Sequence, residues 1–283
     1  MRLWLKIASK FICTSPLLAS SPHYNYTNTG NSHSLTHEFV VRSKSSPAPF
    51  HPEKGKRVIY LTWDDAPQAQ GTLNCMRSFT ANQVKATFFA VGLNVHDSLG
   101  RLLIDSIRGS YPEFLLANHS WSHAFRNQYS KFFAMPDSAI HDFLYNDSCF
   151  HFKDKIIRLP SSNSWVMAGE NKGPASATAV REGLAQIGYC VIGWDVEWRL
   201  MKGKNSGQGA EEMVREVNRK LDDSTTNAPD AIVILSHDRY FKEPAEVDSL
   251  NKFISLLKAD PRNVFETIDH YPIDHSPTSH FPQ

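Results

Sequence analysis

The amino-acid sequence predicts an α/β fold, a distorted and incomplete (β/α) barrel of about seven parallel strands in a single domain. Two observations carry this expectation. Apolar, strand-like runs alternate with segments of helical spacing, which calls for parallel pairing through crossover helices. Five clusters of chemically loaded residues also fall at the C-terminal ends of these runs, the end where barrels place their sites. A length of 283 residues suits one such unit.

The strand-like runs cover residues 57–63, 86–92, 114–120, 155–160, 189–198, 231–238 and 263–269. Between them, Leu102, Leu103, Ile104 and Ile107 form one apolar helical face, and Phe253, Ile254, Leu256 and Leu257 another. The first run, Val58 to Trp63, does not alternate, so it reads as a strand buried on both faces. It ends in the adjacent carboxylates Asp64 and Asp65, with Pro67 just beyond. Neighbouring carboxylates repel unless a cation or a proton lies between them, so a metal site is the economical reading.

A formal net charge of +1 and a pI of about 7.8 argue against a polyanionic partner, and nucleic acid is not expected as a ligand. Of the four cysteines, Cys13 lies in the N-terminal region and Cys75, Cys149 and Cys190 in the domain. That odd number speaks against a disulfide framework, leaving a Cys75–Cys149 bridge as the pairing to test and Cys190 as a buried, inert thiol. Residues 1–22 read as a signal peptide interrupted by Lys10 and Pro16, and no run reaches the length of a membrane span. Export to a periplasm or the medium is the expectation, with a cytoplasmic protein as the alternative. Residues 23–53 read as a poorly ordered leader, 54–272 as the folded domain and 273–283 as a tail. A monomer is expected.

At the strand ends stand Asp64 and Asp65, His119 and His123, Arg158 and Pro160, Asp195, Glu197 and Trp198, and His237. The i,i+4 spacing of His119 and His123 puts both imidazoles on one face if a helical turn begins at Ser120 or Ser122. Two imidazoles and a carboxylate make a three-ligand cation site. The same set also occurs in ferrous oxygenases, though with a different order along the chain. The HEXXH metalloproteases are excluded because Ser120 follows His119.

Five motifs in order resemble the NodB-homology polysaccharide deacetylases, carbohydrate esterase family 4, over about residues 57–270. They are Thr62-Trp63-Asp64-Asp65-Ala66-Pro67, His119-Ser120-Trp121-Ser122-His123, Arg158-Leu159-Pro160, Trp194-Asp195-Val196-Glu197-Trp198 and Leu235-Ser236-His237. The wording within these stretches is most similar to chitin-oligosaccharide deacetylases. The resemblance implies a metal-dependent hydrolase that removes N-acetyl groups from N-acetylglucosamine-containing glycans. Chitin oligosaccharide is the favoured substrate; peptidoglycan, acetylxylan or a catalytically impaired sugar-binding homologue are the alternatives.

By the same resemblance, Asp65, His119 and His123 hold one divalent metal, zinc before cobalt or another ion. Asp64 is the general base and His237 the general acid. Arg158 keeps Asp64 ionised, and Glu197, or else Asp195, holds Arg158 in place. The backbone N–H of Ser161 faces the oxyanion. Leu235, Trp194 or Trp198 lines the acetyl pocket and Trp165 stacks on a sugar, although each tryptophan reads equally well as core. Four positions depart from the family's wording. Trp63 replaces the usual Phe, and Ala66 the usual Gly, which removes freedom at φ > 0 in the turn; Ser161 stands where an aromatic is common, and Glu197 replaces Asp, lengthening the tether to Arg158.

Overall fold

The computed structural model describes residues 53–167, 170–199 and 208–272. The segments read as signal peptide and tail, and the leader up to residue 52, lie outside the described residues. β1 (Arg57–Ala66) is the hub of one curled, mixed sheet. Along one side of it come β2 (Ala86–Ala90), β3 (Phe114–Asn118), β4 (Ile156–Ile157), β7 (Cys190–Val191) and the hairpin β5 (Trp165–Met167) and β6 (Glu170–Lys172). On the other side lie β9 (Ala231–His237) and β8 (Val196–Glu197), while β10 (Asn263–Phe265) pairs with the first residues of β1. All pairings are parallel except those of β5, so the sheet is the expected incomplete barrel with an antiparallel hairpin at one edge.

Alternation along β1 sorts its side chains into two layers. Ile59, Leu61 and Trp63 face an outer core with Phe79 of α1 (Gln70–Asn82), Ile104 of α2 (Ser98–Gly109), Met213 of α7 (Ala210–Asp222) and Phe253 of α8 (Pro244–Lys258). Val58 and Tyr60 face the barrel interior with Phe89, Leu115 and Val233. A third cluster packs α4 (Tyr129–Phe133), α5 (Pro136–Phe150) and α6 (Thr178–Gln186) over β4 and β7. The two predicted helical faces are buried at Leu103, Ile104 and Ile107 and at Phe253, Ile254 and Leu257; Leu102 and Leu256 turn outward. Each helix has a sequence-encoded start. Asp97 accepts from the Gly100 N–H at 2.8 Å, and Glu243 and Glu246 form a capping box at the head of α8.

No disulfide joins Cys75 to Cys149: both are thiols, and Cys75 is fully buried in the outer core, where burial holds its pKa well up. Among the described residues, no helix is long and apolar enough to cross a membrane.

The run 189–198 is not one strand. It forms β7 beside β4 and then β8 beside β9, on opposite sides of the curled sheet, so the residues between them cross the barrel. The Ile192 N–H still donates to the Ile157 carbonyl at 2.9 Å, but the Ile192 and Gly193 carbonyls turn inward and accept from the Arg158 guanidinium, at 3.3 and 2.7 Å. Gly193 is required there, since a Cβ would lie 2.1 Å from the Asn163 side chain. Asp195 ends the crossing by accepting from the Asn227 and Val233 N–H groups at 2.6 and 2.7 Å. Burial raises the Asp195 pKa in spite of these two bonds. The carboxylate weighed as a partner for Arg158 thus spends both oxygens on backbone.

Replacing Asp195 by Ala leaves two N–H groups without their acceptor and should cost about 2–4 kcal/mol of stability. The shift of the urea midpoint measures this, and a midpoint like that of the parent would show that the clamp contributes nothing.

Candidate metal and active site

The site is built on an irregularity at the end of β1. Asp64 pairs with Phe89 and Ala66 with Ala90, so Asp65 is an extra residue, a bulge with φ of 69°. In a regular strand the two aspartates would point to opposite faces; the bulge re-aims the second so that both reach the barrel mouth. Asn94 and Gln68 donate to the Asp65 carbonyl, at 2.7 and 3.2 Å, which fixes the bulge. The left-handed backbone therefore falls on Asp65 and not on Ala66, which is buried in the strand. The expected loss at Ala66 does not arise, since its backbone does not need glycine, and Asp tolerates the left-handed region better than most residues. Trp63 faces away from the site, edge-on to Phe79 at 5.0 Å.

Asp64 and Arg158 form a buried ion pair of 2.9 Å, exposed by 3% and 0% respectively. Arg158 also donates to Thr62 Oγ1 at 2.8 Å and lies 4.3 Å over the Phe89 ring. Burial lowers the Arg158 pKa and Asp64 is the chief opposing influence. Glu197 does not hold Arg158: its carboxylate pairs with Arg199 at 2.6 Å, while Arg158 finds its remaining partners in backbone carbonyls.

His119 and His123 converge on Asp65, with their Nε2 atoms 3.7 and 3.2 Å from Asp65 Oδ1. They do so without the expected right-handed helical turn. Ser120 has φ of 71°, and the short element α3 (His123–Asn127) has positive φ throughout, a left-handed turn. The other ring nitrogens are occupied: His119 Nδ1 bonds the Arg158 carbonyl at 2.9 Å and His123 Nδ1 the Asn127 side-chain oxygen. With Nδ1–H donated, each Nε2 presents a lone pair to the cavity. Burial pushes the His119 pKa down to about 4, so that imidazole is neutral at pH 7.

Asp65, His119 and His123 place one ligand atom each within 4.8 Å of the others, and the buried Asp65 Oδ1 has no hydrogen-bond donor among the described residues. An orphaned carboxylate oxygen facing the Nε2 atoms of two imidazoles fits a divalent cation, which these three residues would hold.

The parallel register of β1 and β9 sets His237 directly beside Asp64. Its Nε2 is 3.9 Å from Asp65 Oδ2, and its buried Nδ1 has no hydrogen-bond partner among the described residues. Asp64, Asp65, His119, His123, Ser161, Trp194, Leu235 and His237 share one cavity of about 840 Å³. Trp198 and Trp165 are not in its lining. Trp198 packs on Phe253 at 4.6 Å in the outer core, and Trp165 on Tyr271 at 5.6 Å.

Sequence reading missed Arg239, which contacts Asp65 Oδ2, and Asn127, which orients His123. Arg239 lies two residues beyond His237 and was within reach of the motif. Asn127 becomes a partner only through the left-handed turn. Asp238, between His237 and Arg239, is fully buried against the Thr72 hydroxyl, and burial lifts its pKa to about 7.

His119→Ala or His123→Ala should abolish cation binding and turnover together, because two remaining ligands hold a divalent ion poorly. Elemental analysis decides it; full metal content in an inactive His119→Ala protein would reject the ligand set.

Residues 51–139 match the family model for polysaccharide deacetylases. The chain is 22% identical to a chitin disaccharide deacetylase of Vibrio alginolyticus, with 82% of this chain and 75% of the relative covered. It is 23% identical to a peptidoglycan-N-acetylglucosamine deacetylase of Bacillus cereus, covering 83% and 78%. Its fold is similar to the catalytic domain of a peptidoglycan N-acetylglucosamine deacetylase from Eubacterium rectale, with a TM-score of 0.57, 20% identity and coverage of 82% and 96%. A carbohydrate esterase from Streptococcus mutans gives a TM-score of 0.55 at 22% identity, covering 75% and 86%. The chain thus carries a polysaccharide deacetylase match over residues 51–139, and its sheet shares the fold of these solved relatives.

Proposed function

We propose that the protein removes N-acetyl groups from N-acetylglucosamine-containing glycans, with chitin oligosaccharide as the favoured substrate and zinc as the ion. One observation carries the reading. A base locked to a buried arginine, Asp64, stands on the strand beside a candidate acid, His237, at the edge of a three-ligand cation seat. The Vibrio alginolyticus relative supports chitin fragments, and the Bacillus cereus relative makes peptidoglycan the alternative. We further propose that the protein is exported, in keeping with the polymers its relatives are named for.

When bound, a divalent ion supplies Lewis acidity toward the acetamide carbonyl and the attacking water. Asp64 takes the proton of that water, and Arg158, 2.9 Å away, holds its carboxylate in place for the purpose. The Ser161 N–H faces the oxygen that gains charge as the carbonyl carbon becomes tetrahedral. Ser161 has φ of 56° and lines the cavity, which supports this role. Leu235 and Trp194 offer apolar surface to the acetyl methyl. As the C–N bond breaks, His237 Nε2 gives its proton to the departing nitrogen, leaving acetate and an amine. Burial disfavours protonated His237, while the charges of Asp64 and Asp65 favour it.

Acetate release should be greatest on chitin oligomers, lower on peptidoglycan and acetylxylan, and abolished by a chelator. Release from none of the three would reject the reading.

Asp64→Asn should fold and keep its cation but lose about 100- to 10,000-fold in rate, the usual share of a general base. Metal content separates it from Asp65→Asn; a metal-free Asp64→Asn beside a loaded Asp65→Asn would exchange the two roles.

His237→Ala should retain the cation and lose far more activity on amides than on an activated aryl acetate, whose leaving group needs no proton. An equal loss on both would mean that His237 orients the substrate and does not deliver the proton.

A further inference from the structure

The turn that carries both imidazoles is poorly supported by its own backbone. Ser120 has φ of 71° and His123 of 49°, and neither is glycine. Such conformations persist only when their surroundings over-determine them. The surroundings here are one face of α5. Asp142 Oδ2 accepts from the Ser122 N–H at 3.0 Å, and the Asp142 carbonyl accepts from the Trp121 N–H at 3.2 Å. Asn146, one helical turn on, donates to Asn118 Oδ1 at 2.8 Å and to the Ala90 carbonyl at 3.0 Å. Asn118 Oδ1 in turn accepts from the Ser120 N–H at 2.9 Å. Three consecutive N–H groups between His119 and His123 are therefore held by Asn118 and α5.

Asp142 is the unexpected member. It is a carboxylate only 9% exposed, it makes no salt bridge among the described residues, and the proposed reaction has no use for it. We propose that Asp142 is a positioning residue for the cation seat: its carboxylate oxygen holds Ser122, and through Ser122 sets the distance between the His119 and His123 Nε2 atoms. This rests on the cation seat of the proposed function, and the oxygen's position, not its charge, does the holding.

Two conservative substitutions separate position from charge. Asp142→Asn keeps an acceptor oxygen in place without the charge; Asp142→Glu keeps the charge and moves the oxygen by a methylene. Zn2+ affinity is measured by competition with a chromophoric chelator, alongside the melting temperature of the cation-free proteins. Asp142→Asn should bind Zn2+ within about threefold of the parent, and Asp142→Glu about 10- to 100-fold more weakly, the usual effect of losing an outer partner of a metal site. A merely structural residue would lower the melting temperature without this contrast. Parent-like affinity in the Glu variant, or a loss confined to the Asn variant, overturns the proposal. The readout needs no substrate. A protein that releases no acetate yet shows the contrast rejects the deacetylase reading and leaves the role of Asp142 standing.

Discussion

The buried pairing of Arg158 with Asp64 is the interaction on which the rest of the mouth depends. A guanidinium with no solvent exposure is tolerable only if every donor is satisfied, and its partners come from separate parts of the sheet: Asp64 and Thr62 on β1, and the Ile192 and Gly193 carbonyls on the crossing segment. Removing one member of such a pair strands a charge, at a cost of about 3–5 kcal/mol. The same residue's carbonyl accepts the Nδ1–H of His119. One arginine thus fixes the position of the proposed base through its side chain and the tautomer of a candidate ligand through its backbone. It also explains why the barrel is crossed where it is, since the two carbonyls it draws inward are those that leave the ladder.

A second constraint comes from the period of a strand. Two adjacent aspartates cannot both face one side of a regular strand, because successive side chains alternate. The bulge at Asp65 breaks the period at the last residues of β1, after six positions have sorted cleanly between inner and outer cores. Asp64 keeps the inward direction of Tyr60 and Thr62, while Asp65 is turned to meet the imidazoles from β3. The two carboxylates then meet different cations, the Arg158 guanidinium for Asp64 and that of Arg239 for Asp65, which lessens their mutual repulsion.

Much of this was legible in the sequence, and the reasons for the exceptions are physical. The unbroken apolar run of β1, the acids at its end and the histidines beyond β3 follow from local patterning, and a parallel α/β sheet delivers strand ends to one mouth. The partner of Arg158 was not legible. Asp195 and Glu197 both stand near it in sequence, but the crossing segment leaves the ladder at Ile192, so Asp195 turns to the backbone of Asn227 and Val233 and Glu197 to Arg199. Neither could Trp165 and Trp198 be told from sugar-facing rings, because the side a tryptophan takes depends on register, and the strand that holds Trp165 is only three residues long while the one before Trp198 has two. Ala66 was misjudged for a related reason: a bulge moves the positive φ one residue along without changing the motif.

The left-handed turn after His123 shows why a metal seat needs more than its ligands. Five residues with positive φ, from His123 to Asn127, cost about 1–2 kcal/mol each for ordinary side chains. Local bonds recover only part: Ser122 Oγ accepts from the Phe125 N–H at 2.8 Å, and Asn127 receives both His123 Nδ1 and the Tyr129 hydroxyl. The remainder must come from packing and from the helix behind the turn, where Ala124 is fully buried and α5 holds the preceding backbone. A divalent ion held by these residues would add to the same balance, because it would favour only the arrangement in which both Nε2 atoms face Asp65. Turn, helix and candidate seat would then be thermodynamically coupled: whatever steadies the turn would raise cation affinity, and a bound cation would steady the turn by the same free energy.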